Sequence, residues 1–434
     1  MRILKGKKEI AGFLDRLKKR GRGVDPKTVM AVQKILDSVR KGGDAALKRF
    51  TRRFDGHENI RLSARVIDSH AKKADRGLIQ ALEFSAGRIR EFHEKQRQGS
   101  WFFERQGIRL GQVIKPLGRA GVYVPGGKAS YPSSVLMNVI PAQVAGVREI
   151  AVAVPSPGGH INPAVMAALR MLGVKEVYSI GGAQAVAALA YGTETIKRVD
   201  KITGPGNIYV AMAKKLVFGE VDIDMIAGPS EILIIADSGA NPAFIAADML
   251  SQAEHDPLAS AVAVTDSEDL ALQLQREVKA QLKGLSRREA ASSSLGRYGA
   301  IIIKEDLQEA VRLANLIAPE HLEIMTRQPD ALAEKIDCAG AMFLGDWSPE
   351  PLGDYAAGPN HVLPTGGTAR FSSPLGVYDF LKHTSYLKFS RKGFSLLADK
   401  VEALAQAEGL TAHKNSVSLR RRGGPDGRKS KKGI

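Results

Sequence analysis

The chain has 434 residues, 44% of them hydrophobic, which is enough apolar content for two or three domains with ordinary cores and excludes disorder as the default. A single cysteine, Cys338, excludes a disulfide framework and a cysteine-rich zinc knuckle, so any metal must rest on imidazole, carboxylate or amide groups. Of the formal charge of +17, about +7 lies at the end, where residues 414–434 hold eight Lys or Arg against one Asp, and the rest is spread out; residues 421–434 read as a solvated basic tail, and nucleic acid is not an expected partner.

Residues 1–22 lack the apolar stretch and cleavage site of a secretory signal, and no run of eighteen apolar residues follows. A cytoplasmic protein with no membrane partner is expected. Residues 1–20 read as a helical arm. Asp25-Pro26 then supplies an N-cap and a first-turn proline, after which Val29, Val32, Leu36 and Val39 fall on one helical face. A second charged helical stretch covers about 62–98, and extended segments follow from 101 to 124, with Gly107, Gly111, Gly118 and Gly121 as turn signals. From Gly121 short apolar runs (150–154, 177–180, 232–236, 261–264, 300–303) alternate with helical periods, the pattern of parallel sheets covered by helices. The segment 225–230 (MIAGPS) interrupts the series with a Gly-Pro turn just before a fresh strand. Two α/β units are therefore expected, one over 121–228 and one over 229–380 joined by the helices of 21–120. The pieces of 381–420 are too small for a core of their own and read as an arm packed on something else.

The glycine-rich segments miss the phosphate-loop patterns. In GVYVPGGKA, from Gly121, no Ser or Thr follows Lys128, and Gly204-Pro205-Gly206-Asn207 offers two glycines of a dinucleotide fingerprint without the third and without an evident strand and helix around it. Chemistry-bearing side chains cluster in the second half. Gln252 and His255 stand three apart near the end of the helix begun at Asn241-Pro242, so both project from one face and can share a ligand, although a satisfied hydrogen-bonded pair would look the same. In Pro319-Glu320-His321 the proline ends a helix and leaves an acid beside an imidazole. A histidine titrating near neutrality can take a proton from an alcohol, and a glutamate raised by burial can activate water; an exposed loop would do neither. The loop from Gly353 to His361 carries Asp354 and His361, ligand types that zinc accepts. Glu408 and His413 lie in the arm, and an arm with nothing to pack against points to reach into a neighbouring subunit.

Eight ordered blocks, among them GVYVPGGKASYPSSVLMNVIPAQVAGV, KITGPGNIYVAMAK, DMIAGPSEILIIAD, DMLSQAEHDP, APEHLEI, GDYAAGPNHVLPTGGTARFSSPLGVYDFL and EGLTAHKNSV, resemble the histidinol dehydrogenase family over about residues 5–420. The resemblance implies an α/β fold of two incomplete Rossmann-like parallel-sheet units, aldehyde-dehydrogenase-like, with a helical N-terminal region and an extended C-terminal arm of dimerisation. It implies a homodimer with shared active sites that oxidises L-histidinol to L-histidine with NAD. One Zn2+ per subunit would rest on Gln252, His255, Asp354 and His413, the last from the partner chain. Glu320 and His321 would be the catalytic pair, Tyr123, Gln184 and Asn207 the NAD contacts, and 121–228 the NAD-binding unit. Substrate contacts would fall on Ser230, Gln252, His255, His321, Asp354, Glu408 and His413, with His361 as a further candidate. A related zinc- and NAD-dependent dehydrogenase of another polar alcohol would share this framework. The loop departs from the family's usual pattern at Ala357 and Pro359, where Ser and Thr are common, and at Ser373 and Pro374.

Overall fold

A computed structural model describes residues 1–20, 25–126 and 131–423; the basic stretch from 424 on and residues 127–130 of the glycine-rich segment lie outside it. The chain divides into one unit made of Met1–Arg97 and Leu117–Phe380 and another made of Gln98–Pro116 and the chain from Leu381 on.

Two six-stranded sheets frame the first unit. One runs Arg2–Leu4, Ala300–Ile303, Ser260–Thr265, Glu231–Ala236, His321–Met325, Ala341–Leu344, with every pair parallel. Its central strand is an unbroken apolar run because both faces are covered. Ile232, Ile234 and Ala236 pack with Ile245, Met249 and Leu270, while Leu233 and Ile235 meet Phe13, Val311 and Leu313 on the opposite side. The other sheet runs Arg61–Leu62, Glu176–Tyr178, Glu149–Ala153, Arg119–Tyr123, Lys201–Thr203, Asp222–Ile223, parallel except for its first, antiparallel edge. Without the edge strands Arg2–Leu4 and Arg61–Leu62, both sheets have the order 3-2-1-4-5 along the chain. The direction of winding reverses between strands 1 and 4, which is where such sheets open a crevice. The two expected parallel-sheet units are present, joined through residues 224–230.

Several local expectations need correction. Residues 1–20 are not a helical arm: Arg2–Leu4 pairs with Ala300–Ile303, and the helix Lys7–Lys19 buries Ile10 and Phe13 in the core of the first sheet. The stretch 62–98 is two helices, Ala64–Ala71 and Arg76–Glu94, divided where Asp75 accepts from the Leu78 N–H and starts a new N-terminus. The helix Pro26–Asp55 packs through Val32, Leu36 and Val39 into the core of the second sheet, not the first. Its apolar face was legible, but an apolar stripe does not name the sheet it will cover.

In the second unit Ile108–Pro116 pairs antiparallel with both Trp101–Arg105 and Leu381–Phe389, the latter in continuous register from Leu381 opposite Pro116 to Phe389 opposite Ile108. Residues 101–116 thus belong with the arm. Two helices follow, Arg391–Ala407 and Thr411–Arg422. Arg421 and Arg422, expected in the tail, are helical; Arg421 pairs with Asp399 and lies 3.4 Å from Glu402, so charge pairing supplies what apolar content does not. Among the described residues no helix is long and apolar enough to cross a membrane.

Candidate active site

The amphipathic helix Leu307–Ile317 ends at Ala318, whose φ of 52° lies in the left-handed region that L-residues avoid. That turn drops Pro319 and Glu320 onto the start of the strand His321–Met325. Both side chains are buried, Glu320 7% and His321 4% exposed, so the exposed-loop alternative fails. Gly340 lets the neighbouring strand pass against this turn, since a Cβ there would collide with the Glu320 carbonyl, which accepts from the Ala341 N–H at 2.9 Å. Glu320 Oε2 accepts from the Glu231 N–H at 2.9 Å. His321 Nδ1 lies 3.2 Å from the Glu231 carbonyl, 3.0 Å from Gln252 Nε2 and 3.7 Å from Glu320 Oε2. Its other nitrogen, Nε2, is buried without a partner, 3.8 Å from Glu350 and 3.9 Å from Asp354, distances of charge attraction rather than hydrogen bonding.

Gln252 occupies the last turn of the helix Pro242–Ala253, but His255 does not share it. The helix stops at Ala253, and a turn whose His255 N–H reaches the Gln252 carbonyl at 3.3 Å brings the imidazole round. Asp354 comes from the short helix Glu350–Tyr355. One ligand atom each of His255, Glu350 and Asp354 lies within 4.8 Å of the others. Glu350 is the member that sequence reasoning missed; only its position one helical turn before Asp354 hinted at it. A cavity of about 270 Å³ is lined by His255 and Asp354 of this cluster together with Ser230, Gln252, Glu320, His321 and His361, with Pro205 and Gly206 of the second sheet's loop on its wall. His361 is fixed there by its Nδ1, 2.9 Å from the Asp354 carbonyl.

Burial and crowding of acids set the charges. Burial pushes Glu320 up to about 7 against the pull of His321. For His321 burial acts downward, but Glu320, Asp354 and Glu350 outweigh it and hold the proton up to about 10. Glu350 is pushed up to about 8 by burial and by Asp354. Burial also acts to raise Asp354, but the neighbouring His321 and His361 bring it down to about 2. Behind them, burial lifts Asp248 to about 6, and burial with Asp248 raises Glu323. Burial pushes His255 down, keeping its imidazole neutral and its lone pair available.

At the carboxyl end of the second sheet, Gly204-Pro205-Gly206-Asn207 does sit between a strand, Lys201–Thr203, and a helix, Ile208–Val217, whose first N–H groups Asn207 caps. The strand is too short for its periodicity to show in the sequence. Gly204 has a φ of 109°, and a Cβ there would strike the Tyr123 carbonyl. Its backbone is clamped on both sides: its carbonyl accepts from Lys214 Nζ at 3.0 Å and its N–H donates to Asp224 at 2.8 Å, the two side chains forming a buried ion pair. Tyr123 closes the strand Arg119–Tyr123, its hydroxyl accepting from the Gly182 N–H at 3.1 Å, and Gln184 is buried in the first turn of the helix Gly182–Tyr191. The three expected NAD contacts thus gather at one end of this sheet. Glu408 and His413 belong to the second unit, where both are exposed.

A family model described as histidinol dehydrogenase matches residues 18–421. The chain is similar to the histidinol dehydrogenase of Aquifex aeolicus, 54% identical over 94% of this chain and 96% of that one, and to that of Bacillus licheniformis, 57% identical over 90% and 93%. Its structure resembles the crystal structure of histidinol dehydrogenase from Elizabethkingia anophelis with a TM-score of 0.92 and 37% identity, covering 97% of this chain and 98% of that one. Two parallel sheets, a buried Glu-His pair and this span of likeness lead to one conclusion: the chain belongs to the histidinol dehydrogenase family.

Proposed function

We propose that this chain oxidises L-histidinol to L-histidine in two NAD-linked steps, by way of the aldehyde, at a zinc site shared between two copies of the chain. The observation that carries the reading is the buried Glu320–His321 pair set against a cluster of unpaired ligand atoms. Gln252 Oε1 and Glu350 Oε1 are buried with no hydrogen-bond partner, a costly state for polar atoms, and His255 and Asp354 converge beside them. This mixture of imidazole, amide and carboxylate fits a divalent cation of borderline softness. Gln252, His255 and Asp354 would hold zinc, with His413 supplied by a second copy. Zinc held there would orient the substrate through its imidazole and amino nitrogens and supply charge, having no accessible redox state.

For His321 to work as a base through Nε2, its Nδ1 must carry the proton and donate to the Glu231 carbonyl, which requires the Gln252 amide nitrogen, 3.0 Å from Nδ1, to turn away as the amide oxygen takes up a cation. The acids that hold its proton are Glu320 first, then Asp354 and Glu350; a cation on Asp354 would remove part of that hold and favour release of the proton. His321 then accepts the substrate's hydroxyl proton, with Glu320 3.7 Å from the resulting imidazolium. Tyr123, Gln184 and Asn207 would hold NAD, which would supply the hydride acceptor for each step. Glu320, raised to about 7, is poised near neutrality to remove a proton from water and form the hydrate whose oxidation His321 assists again. Ser230 and His361 line the substrate's space, and Glu408 of the second copy would accept a hydrogen bond from the substrate's amino group, a contact that alcohols without an amine lack.

Metal content measured together with product yield tests the assignment: bound zinc and two equivalents of NADH per L-histidinol are expected. Turnover of a different polar alcohol alone would overturn it.

A further inference from the structure

At the carboxyl end of the second sheet a buried carboxylate stands without a partner. Asp55 is the last residue of the helix Pro26–Asp55 and is 8% exposed; its Oδ2 is shut from solvent and meets no donor. Two residues on, His57 Nε2 lies 3.3 Å from Ser179 Oγ, while its Nδ1 is also buried and unpaired. Burial raises the Asp55 carboxyl, with His57 working against the shift. An acid at the negative end of a helix, buried and unpaired, is unfavourable on each count.

Its place in the fold supplies a reason. Ser179 follows strand 3 of the 3-2-1-4-5 order, Glu176–Tyr178. Gly158, 3.9 Å from where a Cβ of Gly56 would stand, follows strand 2, Glu149–Ala153. Tyr123, whose phenol is raised by burial and by the charge of Asp55, ends strand 1. A dinucleotide in this topology crosses the carboxyl ends of the strands, with its pyrophosphate at the switch point between strands 1 and 4 and its adenosine ribose toward strands 2 and 3. An acid there ordinarily takes the ribose hydroxyls. Strand 2 runs out as Ala153-Val154-Pro155-Ser156 and provides none.

Resting on the NAD-linked reading above, we propose that Asp55 is the ribose-binding acid of the dinucleotide site, delivered by the N-terminal helix in place of the sheet, and that its charge discriminates against a 2′-phosphate. The ribose hydroxyls donate to the carboxylate, and His57 borders the same subsite. A phosphate in that position would face a second anion.

The test is Asp55→Asn, which keeps the shape and removes the charge. NAD affinity is measured by calorimetric titration, and KM for NAD, NADP and L-histidinol by NADH or NADPH production. Losing a hydrogen bond to a charged acceptor weakens NAD binding by about ten- to a hundredfold, with NADP use rising relative to NAD. KM for L-histidinol and kcat at saturating NAD are expected to stay within about twofold, a split that general unfolding would not produce. Asp55→Ser is the second variant should Asn not fold, and Asp55→Glu is expected to recover part of the NAD affinity. Unchanged NAD affinity in either folded neutral variant overturns the assignment of Asp55. A wild-type protein that reduces no NAD refutes instead the dehydrogenase reading on which it rests.

Discussion

Glu320→Gln separates the two oxidations. The amide retains the carboxylate's shape, and its oxygen can still accept the Glu231 N–H, 2.9 Å away in the native site, so packing is preserved. The acceptor for the water proton is lost, and a positioned general base is worth about 10²- to 10⁴-fold, or about 3–5 kcal/mol of barrier. The alcohol step loses less. Glu320 lies 3.7 Å from His321 Nδ1, and unit charges near that spacing attract by about 4 kcal/mol at an effective dielectric near 20. That attraction is only partly present around pH 7, where Glu320 is half protonated, and Glu350 and Asp354 flank the other ring nitrogen. A loss of about tenfold in alcohol oxidation is therefore expected, against about a hundredfold or more with the aldehyde. NADH formation from L-histidinol in the first turnover and from L-histidinaldehyde supplies the two numbers, with zinc content as the control. Only the ionised carboxylate takes a proton, so native aldehyde oxidation should fall as pH drops through about 7, and the variant should lack that limb. Equal losses in both reactions, or a limb that persists in the variant, would refute the division of roles.

His255→Ala is expected to abolish zinc retention, and His413→Ala to do the same if a second copy completes the site; full occupancy by metal analysis in both would remove the shared site. Glu350, Glu320 and Asp248 have folded values of about 8, 7 and 6, above their ordinary ones. Their contribution to stability is therefore present in acid and lost as pH rises through that range. Metal-free protein should show a falling Tm from pH 5.5 to 8.5 by calorimetry, with a shallower fall when zinc is added; a flat apo profile would contradict the burial of these acids. Lys214→Met strands the Asp224 carboxylate and should destabilise the fold by about 3–5 kcal/mol, while Lys214→Met with Asp224→Asn should recover most of that in chemical denaturation. A double variant no more stable than the single one would show that the ion pair is not the clamp on Gly204.

The sequence revealed most where one face or one run decides the structure. The strand Glu231–Ala236 was visible because burial on both faces demands an unbroken apolar run, and the helix Leu307–Ile317 because it buries a single stripe. Glu320 and His321 announced themselves by chemistry, but their burial did not, since it depends on a left-handed turn at Ala318, a residue with no special preference for that conformation. Pairings between distant segments were hidden. Nothing in 101–116 identifies Leu381–Phe389 as its partner, and nothing in Arg2–Leu4 points to Ala300–Ile303. Glu350 escaped because an acid in a Pro-Glu-Pro turn is ordinarily solvated, and only the converging helix Pro242–Ala253 makes it a buried neighbour of Asp354.

The two sheets share one strand order yet work from opposite ends. In the second, the proposed NAD contacts stand at the carboxyl ends of the strands, where the chain enters the helices Gly182–Tyr191 and Ile208–Val217 by their N-termini; a pyrophosphate bound there would meet positive dipole ends. In the first, Ser230, Glu320 and His321 stand at the amino ends, where strands expose N–H groups and the Glu231 N–H takes the Glu320 carboxylate. Helices arrive at that end by their C-termini, and Gln252 and His255 sit at the close of Pro242–Ala253, so the dipole there favours a cation. One topology thus offers an anion site and a cation site according to which end of the sheet is used. The residues 224–230 that link the sheets carry the chain from the last strand of the one to Ser230 of the other, bringing the cation end of the first sheet and the anion end of the second to a common cavity.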